Sequence, residues 1–191
     1  MAVRVLMARI VLVRHGHPRA EGRERSRWGL SDEGRTVVAT LGEEAVWKTV
    51  ERIYASPERR AQETAQMVAN RWDIPLEVRE DLGEVHRPFE VRGYEDKIRA
   101  FLKGKALEGW ETRQVAEARV HQAMEDISRE RVNVAAVSHA LLLALFLAQV
   151  SGAEPTFWLH HSIGFAEYAL YDTDARGLVQ GFRAAAAKAA E

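Results

Sequence analysis

Two short, nearly continuous apolar runs constrain the fold of this chain more than any other feature of its sequence. They occupy residues 8–14 and 132–137, and a shorter run lies between them at residues 52–56. Runs of this length are typical of strands buried on both faces of a sheet. Each is followed by a segment whose apolar residues recur at helical spacing. This alternation predicts an α/β fold, a three-layer α/β/α sandwich with a mostly parallel central sheet.

Residue types that begin helices refine this outline. Ser31 and Ser56 are predicted N-caps, and Pro57 is predicted to be the first residue of the helix after the second strand. Residues 82–93 lack periodicity and are predicted to form a loop. The remaining predicted elements are helices over residues 94–102, 112–129, 140–150 and 184–190, and strands over residues 75–78, 164–171 and 178–182.

Length and charge limit the functions open to the chain. Its 191 residues suffice for one domain, 1–191, in which residues 84–130 are expected to contain a loop and a helical cap. With a formal net charge of −1, the chain lacks the clustered surplus of Lys and Arg that nucleic acids or anionic membranes require, so neither is an expected partner. The absence of cysteine excludes disulfides, thiolate nucleophiles and cysteine-based zinc sites, and it leaves the cytoplasm as the default location.

We expect neither a membrane span nor an export signal in this sequence. The longest apolar stretch, residues 132–150, includes polar residues, and its densest part, residues 140–148, is too short to cross a bilayer. Arg4 interrupts the N-terminal apolar residues, and no small-residue cleavage site follows. The sequence leaves the start open between Met1 and Met7.

Chemically active side chains follow the three main strands. Arg14 and His15 end the first strand, Arg60 follows the second, and His139 follows the third. In α/β sheets, ligands collect beyond the carboxyl ends of the strands. Arginine offers a planar fork to phosphate oxygens, and neutral histidine is a nucleophile that can accept a phosphoryl group. Taken singly, each residue is more often a solvated charge or a structural histidine, but together they favour a pocket for phosphoryl transfer.

These residues resemble the histidine phosphatase superfamily, in its phosphoglycerate mutase-like branch, whose signature is Arg-His-Gly after the first strand. The resemblance implies the fold of that branch and covers almost the whole chain. It rests on five blocks in the same order, Leu12-Val-Arg-His-Gly16, Leu30-Ser-Asp-Glu-Gly34, Tyr54-Ala-Ser-Pro-Glu-Arg-Arg-Ala-Gln-Glu-Thr-Ala65, Leu82-Gly-Glu84 and Val137-Ser-His139.

The resemblance implies a role for each matched residue. His15 would be the nucleophile that becomes transiently phosphorylated, and Glu84 would act as general acid and then as general base. Arg14, Arg60 and a protonated His139 would hold the phosphate, since phosphoryl transfer needs positive charge on the equatorial oxygens. Space beside the nucleophile would come from glycine, and a further histidine would line the pocket; these two substrate-binding candidates are Gly16 and His17.

Other parts of the sequence depart from the family pattern. Many members follow the signature with Glu-Thr and a phosphate-binding Asn, which has no counterpart in residues 17–21. Ala140 replaces a common Gly, and an Asn near the final strand is replaced within residues 160–162, which either alters the pocket or caps a turn. A short loop replaces the family's Arg-x-x-Gly pattern with Arg23, Arg25, Arg27 and Trp28. The roles of four histidines stay open, namely His17, His86, His160 and His161.

Two further features have alternative interpretations. Residues 86–89 and Arg92 are a candidate specificity lid, whereas Trp110 is assigned to the core in preference to that lid. The histidines could suggest a metal, but His160 and His161 are adjacent and no carboxylate lies at ligand spacing, so neither a metal nor a cofactor is expected.

The sequence therefore predicts a metal-independent phosphatase acting on a phosphomonoester, either a small molecule or protein phosphohistidine, through phosphorylated His15. One alternative is a phosphoglycerate mutase-like phosphoryl-transfer enzyme. Another is a regulatory module that binds phosphate without turnover. The physiological substrate and the oligomeric state, including a homodimer, are left open.

Overall fold

The apolar runs of the sequence form the centre of a six-stranded sheet. The computed structural model describes residues 8–89 and 92–183. Its strands are β1 (Arg9–Arg14), β2 (Arg52–Ala55), β3 (Leu76–Val78), β4 (Val134–Ser138), β5 (Tyr168–Asp172) and β6 (Gly177–Arg183). Their order across the sheet is β3-β2-β4-β1-β5-β6. The first four of these pair in parallel, whereas β5 is antiparallel to both β1 and β6.

Helices cover both faces of this sheet. They are α1 (Asp32–Leu41), α2 (Arg59–Trp72), α3 (Tyr94–Leu102), α4 (Arg113–Ser128), α5 (Ala140–Ser151) and α6 (Phe157–Ser162). Because side chains alternate along a strand, Val11 and Val13 pack in one core cluster with α1 and α2, while Ile10 and Leu12 pack in the other with α3, α4 and α5. The predicted three-layer α/β/α sandwich is confirmed, and Trp110 is buried in the second cluster as expected.

The structure corrects several predicted boundaries. Ser56 does not cap α2, and Pro57 lies before that helix, because α2 begins at Arg59 with Glu58 as its N-cap residue. Residues 164–167 precede β5 instead of belonging to it. The sequence analysis missed α6, whose six residues are too few to show a helical period. The predicted helix over residues 184–190 and the alternative starts at Met1 and Met7 lie outside the described residues.

Topology brings the predicted site residues to one edge of the sheet. Since β1, β2 and β4 are adjacent and parallel, their carboxyl ends meet there. The chain then enters α2 four residues after β2 and α5 two residues after β4. Among the described residues, no helix is long and apolar enough to span a bilayer.

Candidate active site

His15 follows β1 directly and lies at the centre of the site. Its Nδ1 donates to the Gly16 carbonyl at 2.7 Å, which leaves the lone pair on Nε2. Arg60 Nε donates to this Nε2 at 3.0 Å. Burial and the charge of Arg60 hold the pKa of His15 well below its usual range. His15 is therefore a neutral imidazole with one available nucleophilic nitrogen.

Arg60 joins the other groups of the site from the first turn of α2. Its side chain is buried, and Nη1 donates to the Arg25 carbonyl at 2.7 Å. Its Nη2 donates to His139 Nδ1 at 3.1 Å and lies 2.5 Å from Glu58 Oε2. The neighbouring Arg59 faces outward and pairs with Glu63.

His139 is the N-cap residue of α5 and is fully buried. Because Nδ1 accepts from Arg60, the ring proton lies on Nε2, which donates to Ser56 Oγ at 2.6 Å. Burial, together with His15 and Arg60, holds the pKa of His139 well below its usual range. In the free protein His139 is neutral, so the protonated form expected from the sequence requires the charge of a bound phosphate.

Arg14 completes a strand-end cluster that consists of Arg14, His15, Arg60 and His139. Its guanidinium carbon lies 3.6 Å from the centre of the Phe165 ring, and Nη1 donates to the Ile163 carbonyl at 2.5 Å. Burial lowers the pKa of Arg14 to about 10, so the side chain remains charged at neutral pH. Its Nε is buried without a hydrogen-bond partner among the described residues.

Gly16 lets α1 approach the backbone beside His15. A Cβ on this residue would lie 2.6 Å from Val38 Cγ2, a distance that real Cβ contacts do not show. The Gly16 amide donates to Thr64 Oγ1 at 3.0 Å, and that hydroxyl donates to the Arg60 carbonyl at 2.7 Å. Gly16 thus ties the His15 backbone to the helix that carries Arg60.

Glu84 begins the Glu84 loop, residues 84–89, and lies against the amino end of α5. Its carboxylate accepts the amides of Val85 at 2.9 Å, Leu142 at 3.1 Å and Leu141 at 3.4 Å. Burial acts to raise the pKa of Glu84, but the charge of Arg87 and the Val85 amide outweigh it and leave the pKa below its usual range. In the free protein Glu84 is therefore a carboxylate.

The sequence analysis missed several groups that complete the site. Glu58 pairs with Arg60, and its Oε1 lies 3.5 Å from His139 Nε2 and accepts the Glu84 amide at 3.1 Å. Both Ser56 and Glu58 stand in a quoted motif, but only the start of α2 at Arg59 shows that they face the site. For Phe165 and Arg87, no sequence signal indicated a contact with Arg14 or Glu84.

The four histidines of open role lie at different distances from the cluster. His17 is exposed, its Nδ1 bonds Ser31 Oγ at 3.1 Å, and its ring packs edge-on against Phe165, so it lies at the rim. The side chain of His86 is exposed, and His161 stacks on Phe157. His160 is close enough to Glu84 for their charges to interact, and burial lowers its pKa to about 4.

This arrangement has the parts that phosphoryl transfer requires. A neutral imidazole nitrogen lies among arginines that can neutralise phosphate oxygens, and a carboxylate that can exchange a proton lies nearby. Over residues 8–89 and 92–183, no cluster of three or more His, Asp or Glu side chains could hold a metal ion.

The family follows from a match over most of the chain. Residues 10–180 match the model of the histidine phosphatase superfamily, branch 1. The chain belongs to this superfamily. No curated protein matches it significantly. The resemblance drawn from the sequence motifs is thereby confirmed.

Solved structures share the fold of this superfamily member. A phosphoserine phosphatase variant from Entamoeba histolytica, in complex with phosphoserine, has a TM-score of 0.73 at 19% identity, covering 92% of this chain and 96% of that one. A mycobacterial glucosyl-3-phosphoglycerate phosphatase has a TM-score of 0.71 at 21% identity, with coverages of 94% and 99%. Bacillus stearothermophilus YhfR has a TM-score of 0.74 at 22% identity, with coverages of 94% and 98%. Superfamily membership, with phosphatases among these neighbours, supports a phosphoric monoester hydrolase.

Proposed function

We propose that the chain hydrolyses a phosphomonoester through a phosphohistidine on His15, with Glu84 as proton donor. One observation carries the proposal. The Nδ1 proton of His15 is bound to the Gly16 carbonyl, and the lone pair on Nε2 accepts a hydrogen bond from the guanidinium of Arg60. A nucleophile that faces a buried arginine is suited to an electrophile that carries negative oxygens.

Two displacements complete the reaction. His15 Nε2 first attacks phosphorus, the ester P–O bond breaks, and the departing oxygen takes a proton from Glu84. Water then attacks phosphorus, the P–N bond breaks, and Glu84 takes a proton from that water. The product is inorganic phosphate, which leaves with the proton that Glu84 then holds, so that His15 is again neutral and Glu84 is again a carboxylate.

The strand-end cluster would bind the phosphate group through its two arginines. Arg14 and Arg60 would bind the equatorial oxygens, and the Nε that Arg14 leaves without a partner supports this role. To bind, the phosphate must take over the Arg60 donor that His15 Nε2 occupies in the free protein. That exchange frees the nucleophile at the moment a phosphoryl group arrives. His17, on the rim, would contact the alcohol part of the substrate.

The ionised state of Glu84 decides where the catalytic proton comes from. Because its pKa lies below the usual range, a substrate monoanion would carry the proton into the pocket and pass it to Glu84. The second pKa of a phosphomonoester is about 6. For esters that need proton donation, kcat/KM should therefore fall as the pH rises above that value.

Small-molecule phosphates are the proposed substrates. The structural neighbours include proteins complexed with phosphoserine, with 3-phosphoglyceric acid and with inorganic phosphate. Protein phosphohistidine is the second substrate class, because a P–N bond can also transfer its phosphoryl group to His15. The cytoplasmic location and the absence of a cofactor remain predictions from the sequence.

Hydrolysis of para-nitrophenyl phosphate in excess chelator tests this proposal. We expect turnover by the intact protein and its loss in His15→Ala, with unchanged circular dichroism. Activity that survives in His15→Ala would overturn the phosphohistidine mechanism. Phosphate binding without hydrolysis would favour the regulatory module, and phosphoryl exchange faster than phosphate release would favour the mutase.

A further inference from the structure

Arg87 is a buried cation for which the two displacements above have no use. Its side chain is only 7% exposed, Nη1 donates to the Val85 carbonyl at 2.9 Å, and Nη2 donates to the Tyr94 hydroxyl at 3.0 Å. Its guanidinium carbon lies 5.6 Å from the ring centres of both Tyr94 and Trp110. Burying an arginine is costly unless an opposite charge compensates it, so its placement calls for an anionic partner.

The carboxylate of Glu84 is that partner. Arg87 Nη2 lies 3.7 Å from Glu84 Oε2, and the Glu84 side chain is only 10% exposed. The other groups bound to this carboxylate are backbone amides, whose positions are set by the loop and by α5. Arg87 thus adds a full positive charge beside the Glu84 carboxylate and determines the side on which the carboxylate is held.

Other charged or titratable groups face Glu84 from the elements packed around it. Among the described residues, only the Arg87 cation is paired with the carboxylate. The other groups are His160 from α6, Arg60 from α2, Arg14 from the end of β1, and the carboxylate of Glu58.

We propose that Arg87 is a positioning residue for Glu84, which turns the carboxylate towards α5 and sets the charge state in which it enters the reaction. This inference rests on the proposed function. It implies that proton donation, more than phosphate binding, depends on Arg87. Loss of Arg87 should therefore slow hydrolysis more for substrates whose leaving group needs a proton than for substrates whose leaving group departs as an anion.

A titration tests the positioning without relying on turnover. In protein carrying ¹³C at the glutamate side-chain carboxyls, Glu84→Gln identifies the Glu84 signal. Removing the guanidinium in Arg87→Met should raise the pKa of Glu84, because the neighbouring positive charge lowers it, and Arg87→Lys should restore part of the shift. Arg99→Met is the matched control, since Arg99 also lies over an aromatic ring, that of Phe157, but pairs with Glu95. A Glu84 titration that is the same in Arg87→Met and in the intact protein would overturn the proposal.

Two substrates separate positioning from a general structural effect. Para-nitrophenyl phosphate has a leaving group that departs readily, whereas phenyl phosphate needs more proton donation. We expect Arg87→Met to lower kcat/KM, which reports the first displacement, about tenfold more for phenyl phosphate than for para-nitrophenyl phosphate. An equal loss on both substrates would show a merely structural role and contradict the proposal. If Arg87→Met fails to fold, Arg87→Lys and Tyr94→Phe, which removes a partner of Arg87, provide the same two comparisons.

These measurements also keep the two proposals apart. An intact protein that hydrolyses neither ester, with a Glu84 titration that still shifts in Arg87→Met, would refute the proposed function and support the positioning by Arg87. Turnover that depends on His15, with an unshifted Glu84 titration, would refute the positioning alone.

Discussion

The strand-end cluster and the Glu84 loop are held in place in different ways. The cluster residues stand at the ends of parallel strands or on the first turn of α2, so the sheet fixes where they meet. The Glu84 loop is not itself part of the sheet, and the residues that lead into it are held by side chains. Arg119 on α4 donates to the carbonyls of Asp81 and Gly83 at 2.8 Å each, and Ser138 Oγ donates to the Leu82 carbonyl at 2.7 Å. The position of His15 therefore follows from topology, whereas the approach to Glu84 is held by side-chain bonds to the backbone of residues 81–83.

The two regions also differ in the charge they hold. The cluster contains two neutral histidines among arginines, and the loop contains an anion paired with Arg87. Burial disfavours the charged form of a histidine and of a carboxylate alike. The nearest charges then decide which protonation state each group takes.

Arg60→Lys should have the largest effect, about 10²-fold or more in kcat/KM for para-nitrophenyl phosphate. Lysine keeps the charge but not the planar fork that bonds His15, His139 and the Arg25 carbonyl together. Arg59→Lys is the matched control, because Arg59 is exposed and pairs with Glu63. Comparable activity of the two variants would show that the fork is unimportant.

Glu84→Ala should lower kcat for phenyl phosphate about 10²-fold, since it removes the proton donor. It should also lower the free energy of unfolding by about 1–2 kcal/mol, because the amides of Leu141 and Leu142 lose their acceptor. Glu84→Gln keeps an acceptor oxygen and should regain stability without regaining activity. Urea unfolding and steady-state kinetics measure the two effects, and equal stability of Ala and Gln variants would refute the capping role.

The buried histidines of the cluster should make stability depend on pH. In the unfolded chain His15 and His139 take up protons as the pH falls through about 6.5, whereas in the folded protein their pKa lies well below that value. The contribution of these neutral histidines to the free energy of unfolding is therefore fully present above about pH 6.5. It is lost as the pH falls, by up to about 1.4 kcal/mol per pH unit for each histidine. Urea unfolding at several pH values between 7.5 and 5.5 measures how the free energy of unfolding changes with pH. This change should be shallower in His15→Gln than in the intact protein. The matched control is His121→Gln, at a half-exposed histidine on α4 outside the cluster.

His17→Ala should have the smallest effect, less than about threefold in kcat for para-nitrophenyl phosphate. His17 lies on the rim against Phe165 and bonds Ser31, so it does not contact the nucleophile. A loss as large as that of Arg60→Lys would place His17 within the reacting centre.

The difference between the two regions explains how much the sequence could predict. Strand runs, the start of α5 after β4 and the Arg-His-Gly motif were enough to bring Arg14, His15 and His139 together, because parallel strand ends must meet at one edge. The start of α2 was predicted two residues early, since Ser56 and Pro57 carry the residue types of a cap but Ser56 bonds His139 instead. The pairing of Arg87 with Glu84 depends on long-range packing in an aperiodic loop, and no local pattern reports it.

His139 and Glu84 are both held at the amino end of α5. His139 is the N-cap residue of α5, and the Glu84 carboxylate accepts the amides of Leu141 and Leu142 in the first turn of the same helix. A displacement of that helical turn would carry both groups in the same direction. The separation between His139 and Glu84, the proposed phosphate-binding histidine and proton carrier, is thus set by a single helical turn, and it can stay constant while the surrounding loop changes its conformation or its sequence.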